Sequence, residues 1–266
     1  MINLIQCLQN ENQNVSIAET IDEIKNAGFN GVFIQWYGQN LDLSPEEQFS
    51  YCLQKNLSIE NFHLGYLNIK HLWLDDEIGE RLVEEYINDL KDCKKLNVNT
   101  VVMHLTKGGD TPAPNQIGID RLKKIISVAE NLKIKIALEN KRDLVHINYV
   151  FDNIQSPYLG VCFDSGHCHC HMHDNFDWTR YKNKIFAIHL HDNDFSSDQH
   201  KIPFDGNINW FNVLKNLHFA GYKGNIILES TYQENYTKLS LKQFYKKAFN
   251  AAKKLKEICE ENKFFI

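Results

Sequence analysis

The chain has 266 residues, 43% hydrophobic and 24% charged, with only 5 prolines, a balance that excludes a long disordered or low-complexity protein and suffices for one large core. Its formal net charge of -5 works against a non-specific hold on a phosphate backbone. No stretch approaches the roughly 20 apolar residues of a membrane-spanning helix, so no membrane partner is expected.

In chain order, Ile2 to Cys7 reads as a first buried strand, and Ser16-Ile-Ala-Glu19 has capping-box spacing for a helix that Gly28 stops. Gly31 to Trp36 is a second strand. Ser44-Pro45-Glu46-Glu47 then combines an N-cap serine with proline at the first helical position, opening a helix to about Lys55. Leu57 to His63 is the third strand, followed by a long amphipathic helix in which Ile78, Leu82, Tyr86 and Leu90 recur every four residues. Asn99 to His104 forms the fourth strand, and its loop Thr106-Lys107-Gly108-Gly109 is polar and suited to approaching a ligand. A helix over about 115–131 precedes a fifth strand, Ile134 to Glu139. The sixth strand ends in Asp164, the seventh in His189 and the eighth in Glu229, and Ser240-x-x-Gln243 caps a last helix through about Glu261.

Parallel neighbours need crossovers of a dozen or more residues, which these eight strand–helix units supply. The expected fold is therefore α/β, a (β/α)8 TIM barrel forming a single domain over 1–266. An open doubly wound sheet is the rival, but it expects a glycine fingerprint after the first strand, where Leu8-Gln9-Asn10 stands instead. The opening residues form neither a basic leader nor a long apolar run. The 7 cysteines are scattered, with Cys7 and Cys162 in strands and Cys93 and Cys259 in helices, and read as small buried groups in a cytoplasmic protein. Assembly into a homo-oligomer is left open.

In such a barrel the strand C-termini open on one face, so His63, His104, Glu139, Asp164, His189 and Glu229 ring one cavity. One His or Glu after a strand is ordinarily a helix cap, a core histidine or a surface charge; six at successive strand ends point to a shared cause. Glu139 and Glu229 follow buried runs, in Ile-Ala-Leu-Glu-Asn and Ile-Ile-Leu-Glu-Ser, where an unpaired carboxylate costs several kcal/mol. A divalent metal ion is the expected partner. With Asp164 and His189 these residues make a set suited to Mn2+, Zn2+ or Mg2+, and no organic cofactor is expected. A buried ion-pair network with Lys107, Lys141 or Arg142 is the simpler alternative. Asp164-x-x-His167 and Asp198-x-His200 add His167, Asp198 and His200 as further metal or substrate candidates. His169, His171 and His173 are read as loop residues, incidental or substrate-facing rather than ligands.

At these motifs the sequence resembles the xylose-isomerase-like TIM-barrel superfamily, which contains sugar isomerases and epimerases together with the abasic-site nuclease endonuclease IV. The matches run from His63 to Glu229. The resemblance to the epimerases implies a four-ligand metal site of Glu139, Asp164, His189 and Glu229, with the two glutamates as the catalytic acid/base pair. The resemblance to the nuclease implies a three-zinc cluster drawing on His63, His104, Glu139, Asp164, His167, His189, Asp198, His200 and Glu229, each of the required type. The surroundings depart from the nuclease: Phe-His63-Leu-Gly-Tyr and His104-Leu-Thr-Lys-Gly-Gly replace its His-Ala-Pro-Tyr and His-Pro-Gly. Lys201 to Trp210 looks more like the isomerase-like members, with Phe204-Asp205 where Gly-rich sequence is common.

The first functional class is a metal-dependent isomerase or epimerase of a small sugar or sugar phosphate. There the metal stabilises an enediolate while the glutamates move the proton. His63, His104 and His167 would grip hydroxyls, and Trp36 or Trp210 would wall the pocket. The alternative is an endonuclease IV-like, zinc-dependent cleavage of abasic DNA, the one case with a nucleic-acid partner. It expects basic, intercalating loops at the mouth, for which Lys107, Lys141, Arg142 and Lys201 are the candidates. A non-catalytic sugar- or metal-binding barrel is the third class and has no need of paired glutamates.

Overall fold

The structure is a computed structural model that describes residues 2–9, 15–37 and 42–265, the side chain of Glu234 excepted. Asn10, Met1 and Ile266 therefore lie outside the described residues. Strands β1 (Leu4–Leu8), β2 (Gly31–Trp36), β3 (Ser58–Leu64), β4 (Thr100–Met103), β5 (Lys135–Glu139), β6 (Leu159–Asp164), β7 (Ile185–His189) and β8 (Ile226–Leu228) alternate with helices. The helices are α1 (Ile17–Ala27), α2 (Pro45–Gln54), α3 (Glu77–Lys95), α4 (Gln116–Leu132), α5 (Val145–Asn153), α6 (Ser165–Met172), α7 (Trp210–Phe219) and α8 (Leu241–Glu261).

All strand pairings are parallel and run in the order β7-β6-β5-β4-β3-β2-β1-β8. The ring closes just past the last two strands: the Leu190 N–H donates to the Ile227 carbonyl at 2.9 Å and the Glu229 N–H to the Leu190 carbonyl at 3.0 Å. This is the expected TIM barrel. Strands such as β1 and β6 are buried at every residue, because helices cover one face and the barrel interior the other.

Helix starts follow their local chemistry. Ser44 and Ser240 make complete capping boxes with Glu47 and Gln243. Ser16 makes only half of one, accepting from the Glu19 N–H. Gly28 ends α1 with φ 114°, a conformation that only glycine adopts without strain. Two short 3-10 segments, Ile69–Trp73 and Glu234–Tyr236, were not anticipated. No helix among the described residues is long and apolar enough to cross a membrane.

Register explains why chemistry gathers at one end. Val102, Ala137, Cys162 and Ala187, from the neighbouring strands β4 to β7, pack together as a separate small-residue layer inside the ring. Side chains two residues apart on a strand share a face, so the next layer toward the C-terminal end is His104, Glu139, Asp164 and His189. The polar set is thus the continuation of a buried interior column.

Candidate metal centre

Eight chemically active side chains are almost completely buried at this end: His63, His104, Glu139, Asp164, His167, His189, His191 and Glu229. Glu139 stands at the middle. Its Oε1 lies 3.2 Å from His104 Nε2 and 3.2 Å from His167 Nδ1, and its Oε2 lies 3.2 Å from His63 Nε2 and 3.1 Å from His189 Nδ1. The Nδ1 of His63 faces the Leu64 carbonyl at 3.0 Å. A carbonyl only accepts, so Nδ1 carries a proton there and Nε2 is the ring nitrogen turned toward Glu139.

Glu229, just past β8, reaches the same His189 Nδ1 at 3.4 Å. Asp164 caps α6 by accepting from the His167 N–H at 2.7 Å, and both of its oxygens lie 3.0 Å from His191 Nε2. At the outer side, Asp198 Oδ2 sits 3.0 Å from His167 Nε2 and 3.4 Å from His200 Nε2. Several sets of three donor atoms lie within 4.8 Å of one another, including His63–His104–Glu139, His63–His189–Glu229 and His167–Asp198–His200.

The polar atoms of this centre are not satisfied by one another. Both ring nitrogens of His189, Nδ1 of His104, His167 and His191, and Oδ1 of Asp198 are buried without a hydrogen-bond partner. Such atoms are rare in a folded interior, and here they converge. Imidazole lone pairs mixed with carboxylates are the donor chemistry of a divalent transition metal, so the residues fit one.

Electrostatics agree with a site in which negative charge is in excess. Burial pushes the Glu229 carboxyl well above the usual carboxylate range, and the nearby Glu139 and Asp164 charges push it further. Burial also opposes ionisation of Glu139, but His104, His189 and Lys141 outweigh it and hold that carboxyl low. Burial pushes the His104 ring down to about 3. Lys141, 3.7 Å from Glu139, is kept protonated against its burial by Glu139, Asp164, Asp198 and Glu229.

All nine sequence candidates thus come together. Of the ion-pair alternatives, Lys141 reaches the centre, whereas Lys107 lies over the Tyr66 ring and Arg142 is exposed. The segment after Asp164, expected to be a loop, is helix α6, which sets His167 on its buried side. His169 is buried but engages Asp174 and Asn207, and His173 ends the helix in a left-handed conformation. Trp36 lines a cavity of about 670 Å3 at the ends of β1 to β3. Trp210 is buried and its Nε1 donates to Asp192 at 3.0 Å.

His191 is the member that sequence reasoning missed. It lies two residues beyond His189, and that spacing was the available signal. Its ring stacks on His200 at 4.0 Å, and it fits only because residue 166 is glycine: a Cβ there would stand 1.9 Å from His191 Cε1.

Residues 21–258 match the family model for the xylose isomerase-like TIM barrel. Among curated relatives, an uncharacterized protein y4fM of Sinorhizobium fredii is 28% identical over 52% of this chain and 43% of the relative. A probable endonuclease 4 of Mycoplasma mycoides subsp. mycoides is 28% identical over 56% of this chain and 60% of the relative. The chain thus spans about half the length of these relatives. A D-tagatose 3-epimerase-like protein has a similar structure, with TM-score 0.75, 20% identity and 98% coverage of each chain. D-psicose 3-epimerase from Clostridium cellulolyticum H10 also has TM-score 0.75, with 15% identity over 97% of this chain and 99% of that one. At these identities the likeness is one of fold.

Proposed function

Since the chain belongs to the xylose isomerase-like TIM barrel family, we propose that it is a divalent-metal-dependent sugar isomerase or epimerase with Glu139 and Glu229 as its acid/base pair. One observation carries this reading. The two carboxylates, brought from β5 and from the end of β8, meet on a single buried imidazole, His189 Nδ1, at 3.1 and 3.4 Å.

Glu139, Asp164, His189 and Glu229 would hold a Mn2+, Zn2+ or Mg2+ ion, which supplies Lewis acidity toward a carbonyl and its neighbouring hydroxyl when bound. Proton movement belongs to the protein. One glutamate removes the proton next to the carbonyl, leaving a planar enediolate, and the other returns a proton from the far side. Their surroundings favour the ionised form of Glu139 and the protonated form of Glu229, the asymmetry an acid/base pair requires, and the pair titrates as a unit. His63, His104 and His167 remain to hold substrate hydroxyls.

The cavity bordered by Trp36 meets the centre through Tyr37 and Tyr66, whose rings lie against His63 and His104. Gln9, Gln35 and Asn68 line it, together with Glu85 and Asp89, and its described lining includes no Lys or Arg. That chemistry suits a hydroxyl-rich neutral sugar better than a sugar phosphate. The buried thiols Cys52, Cys93, Cys162, Cys168 and Cys259 suit a reducing cytoplasm, and the site is assigned to one barrel domain.

Ketoses and their phosphates incubated with metal-loaded protein in deuterated water provide the test. Deuterium should enter an unphosphorylated ketose next to its carbonyl, and Glu229→Gln should slow entry by ~10²–10⁴-fold with the metal retained. Unchanged exchange in that variant sinks the acid/base role.

A zinc-dependent endonuclease acting at abasic sites is the second reading. It is favoured by the separate gathering of His167, Asp198 and His200 and by the relatives described as probable endonuclease 4. Cleavage of an abasic-site duplex, with three zinc ions per chain, would establish it over the first.

A further inference from the structure

The outer donor group, His167, Asp198 and His200, has a lysine ammonium against one of its donor atoms. Lys141 lies two residues past Glu139, and the residue between them is locked: the Asn140 side chain donates to the Asp164 carbonyl at 3.0 Å and accepts from the Asp164 N–H at 2.8 Å. With Asn140 held by these two hydrogen bonds, Lys141 Nζ lies 2.6 Å from His167 Nε2 and 3.7 Å from Glu139 Oε1. The same His167 nitrogen faces Asp198 Oδ2 at 3.0 Å. It is also an atom that the outer group would have to offer an ion.

We propose that Lys141 is a resident cation that occupies the outer donor group and keeps a metal ion out of it. An ammonium carries donors only and cannot itself ligate an ion, and at 2.6 Å from His167 Nε2 it stands where an ion bound through that nitrogen would have to sit. A divalent ion placed between His167, Asp198 and His200 would also stand beside a fixed positive charge, and the two repel. No Lys or Arg among the described residues forms an ion pair with Glu229, and Lys141 alone does so with Glu139, so the inner groups retain excess negative charge for an ion. The inference rests on the metal-dependent reading and deepens it: ions are confined to the inner groups, and the full three-ion cluster of the nuclease reading is blocked by this chain's own side chain.

Metal counting on wild type, Lys141→Met, Lys141→Arg and the double variant Lys141→Met/His200→Ala tests this. Each protein is prepared without chelator, saturated with Zn2+, desalted and assayed by elemental analysis, with folding checked by circular dichroism. Lys141→Gln replaces the methionine variant should that one not fold. The neutral variant should hold one more zinc per chain than wild type, the arginine variant should match wild type, and His200→Ala should remove the added ion. Titration should show wild type binding that ion at least ~100-fold more weakly than Lys141→Met. An unchanged count in the neutral variants overturns the proposal, as does loss of an ion when His200→Ala is made in wild type. Ketose exchange in the same samples separates the two ideas. A gained ion without any sugar turnover sinks the isomerase reading and leaves Lys141 in place, while turnover with an unchanged count does the reverse.

Discussion

His189 and Asp192 stand three residues apart, both fully buried, and they meet burial in opposite ways. Asp192 is saturated. Its Oδ1 accepts from the N–H groups of Asn193 and Ile208 at 2.9 and 3.2 Å, and its Oδ2 accepts from the Phe204 N–H and Trp210 Nε1 at 2.9 and 3.0 Å. Neither ring nitrogen of His189 has a hydrogen-bond partner, although Glu139 and Glu229 press on it. Arg121 repeats the first pattern, spreading its guanidinium over Glu80 and the carbonyls of His71, Leu72, Leu74 and Asp76. A buried charge whose every atom is answered holds a fold together, whereas a buried group left unanswered among others of its kind is kept for something that arrives later.

The sharpest way to break this contrast is at its saturated end. Asp192→Ala orphans four donors and should lower unfolding free energy by about 3–5 kcal/mol, read from urea denaturation, with or without metal. A loss below ~1 kcal/mol would mean that Asp192 is not the pin of the 201–210 segment. At the unsaturated end, adding Mn2+ or Zn2+ at ~100 times its dissociation constant should raise stability by about 2.7 kcal/mol, seen as a higher melting temperature that chelator reverses. No shift would remove the metal from the account.

Glu229→Gln refines the contrast further. In metal-free protein it removes one of three crowded carboxylates and should be neutral or stabilise by ~1 kcal/mol, the opposite sign from Asp192→Ala, and it should reduce the metal-induced gain. Destabilisation of the metal-free protein would place Glu229 among the structural charges. The smallest effect is expected at Asp89 on α3, a half-buried carboxyl outside both groups. Burial, then the charges of Asp92 and Glu85, raise it to about 7. Its protonated form is the one the fold prefers, so wild type should lose stability as pH rises from about 4 to 7. Asp89→Asn should therefore match wild type near pH 4 and exceed it by ~1 kcal/mol above pH 7, a figure reduced for its partial exposure to solvent. Parallel curves at both pH values would refute this.

The candidate site was legible to different depths for physical reasons. His104, Glu139, Asp164 and His189 could be read because each follows a strand buried on both faces, and the two-residue period then leaves a side chain little choice of direction. His191 obeys the same period, but it lies past the strand end and stands in no D-x-x-H or D-x-H pairing of its own. Helix α6 was misread because Ser-Gly-His-Cys-His-Cys-His-Met has no apolar stripe; Asp164 capping the His167 N–H and the packing of Gly166 against His191 hold it in place of periodicity. The bond of Trp210 to Asp192 could not be read, because an aromatic residue at a loop end carries no mark of which partner it will face.

Local rules of hydrophobic period and capping, acting within some twenty residues, were enough to make the sequence specify eight strand–helix units, and the parallel arrangement then required their polar ends to share a mouth. Which atoms meet there depends on distances between strands far apart in the chain. Closure at Leu190 and Leu228, the lock of Asn140 on Asp164, and the absence of a Cβ at Gly166 set those distances. For that reason the saturation of Asp192, the open nitrogens of His189 and the reach of Lys141 to His167 belong to the tertiary structure alone. A one-dimensional pattern states that a charge will be buried, and only packing in three dimensions states what it will face.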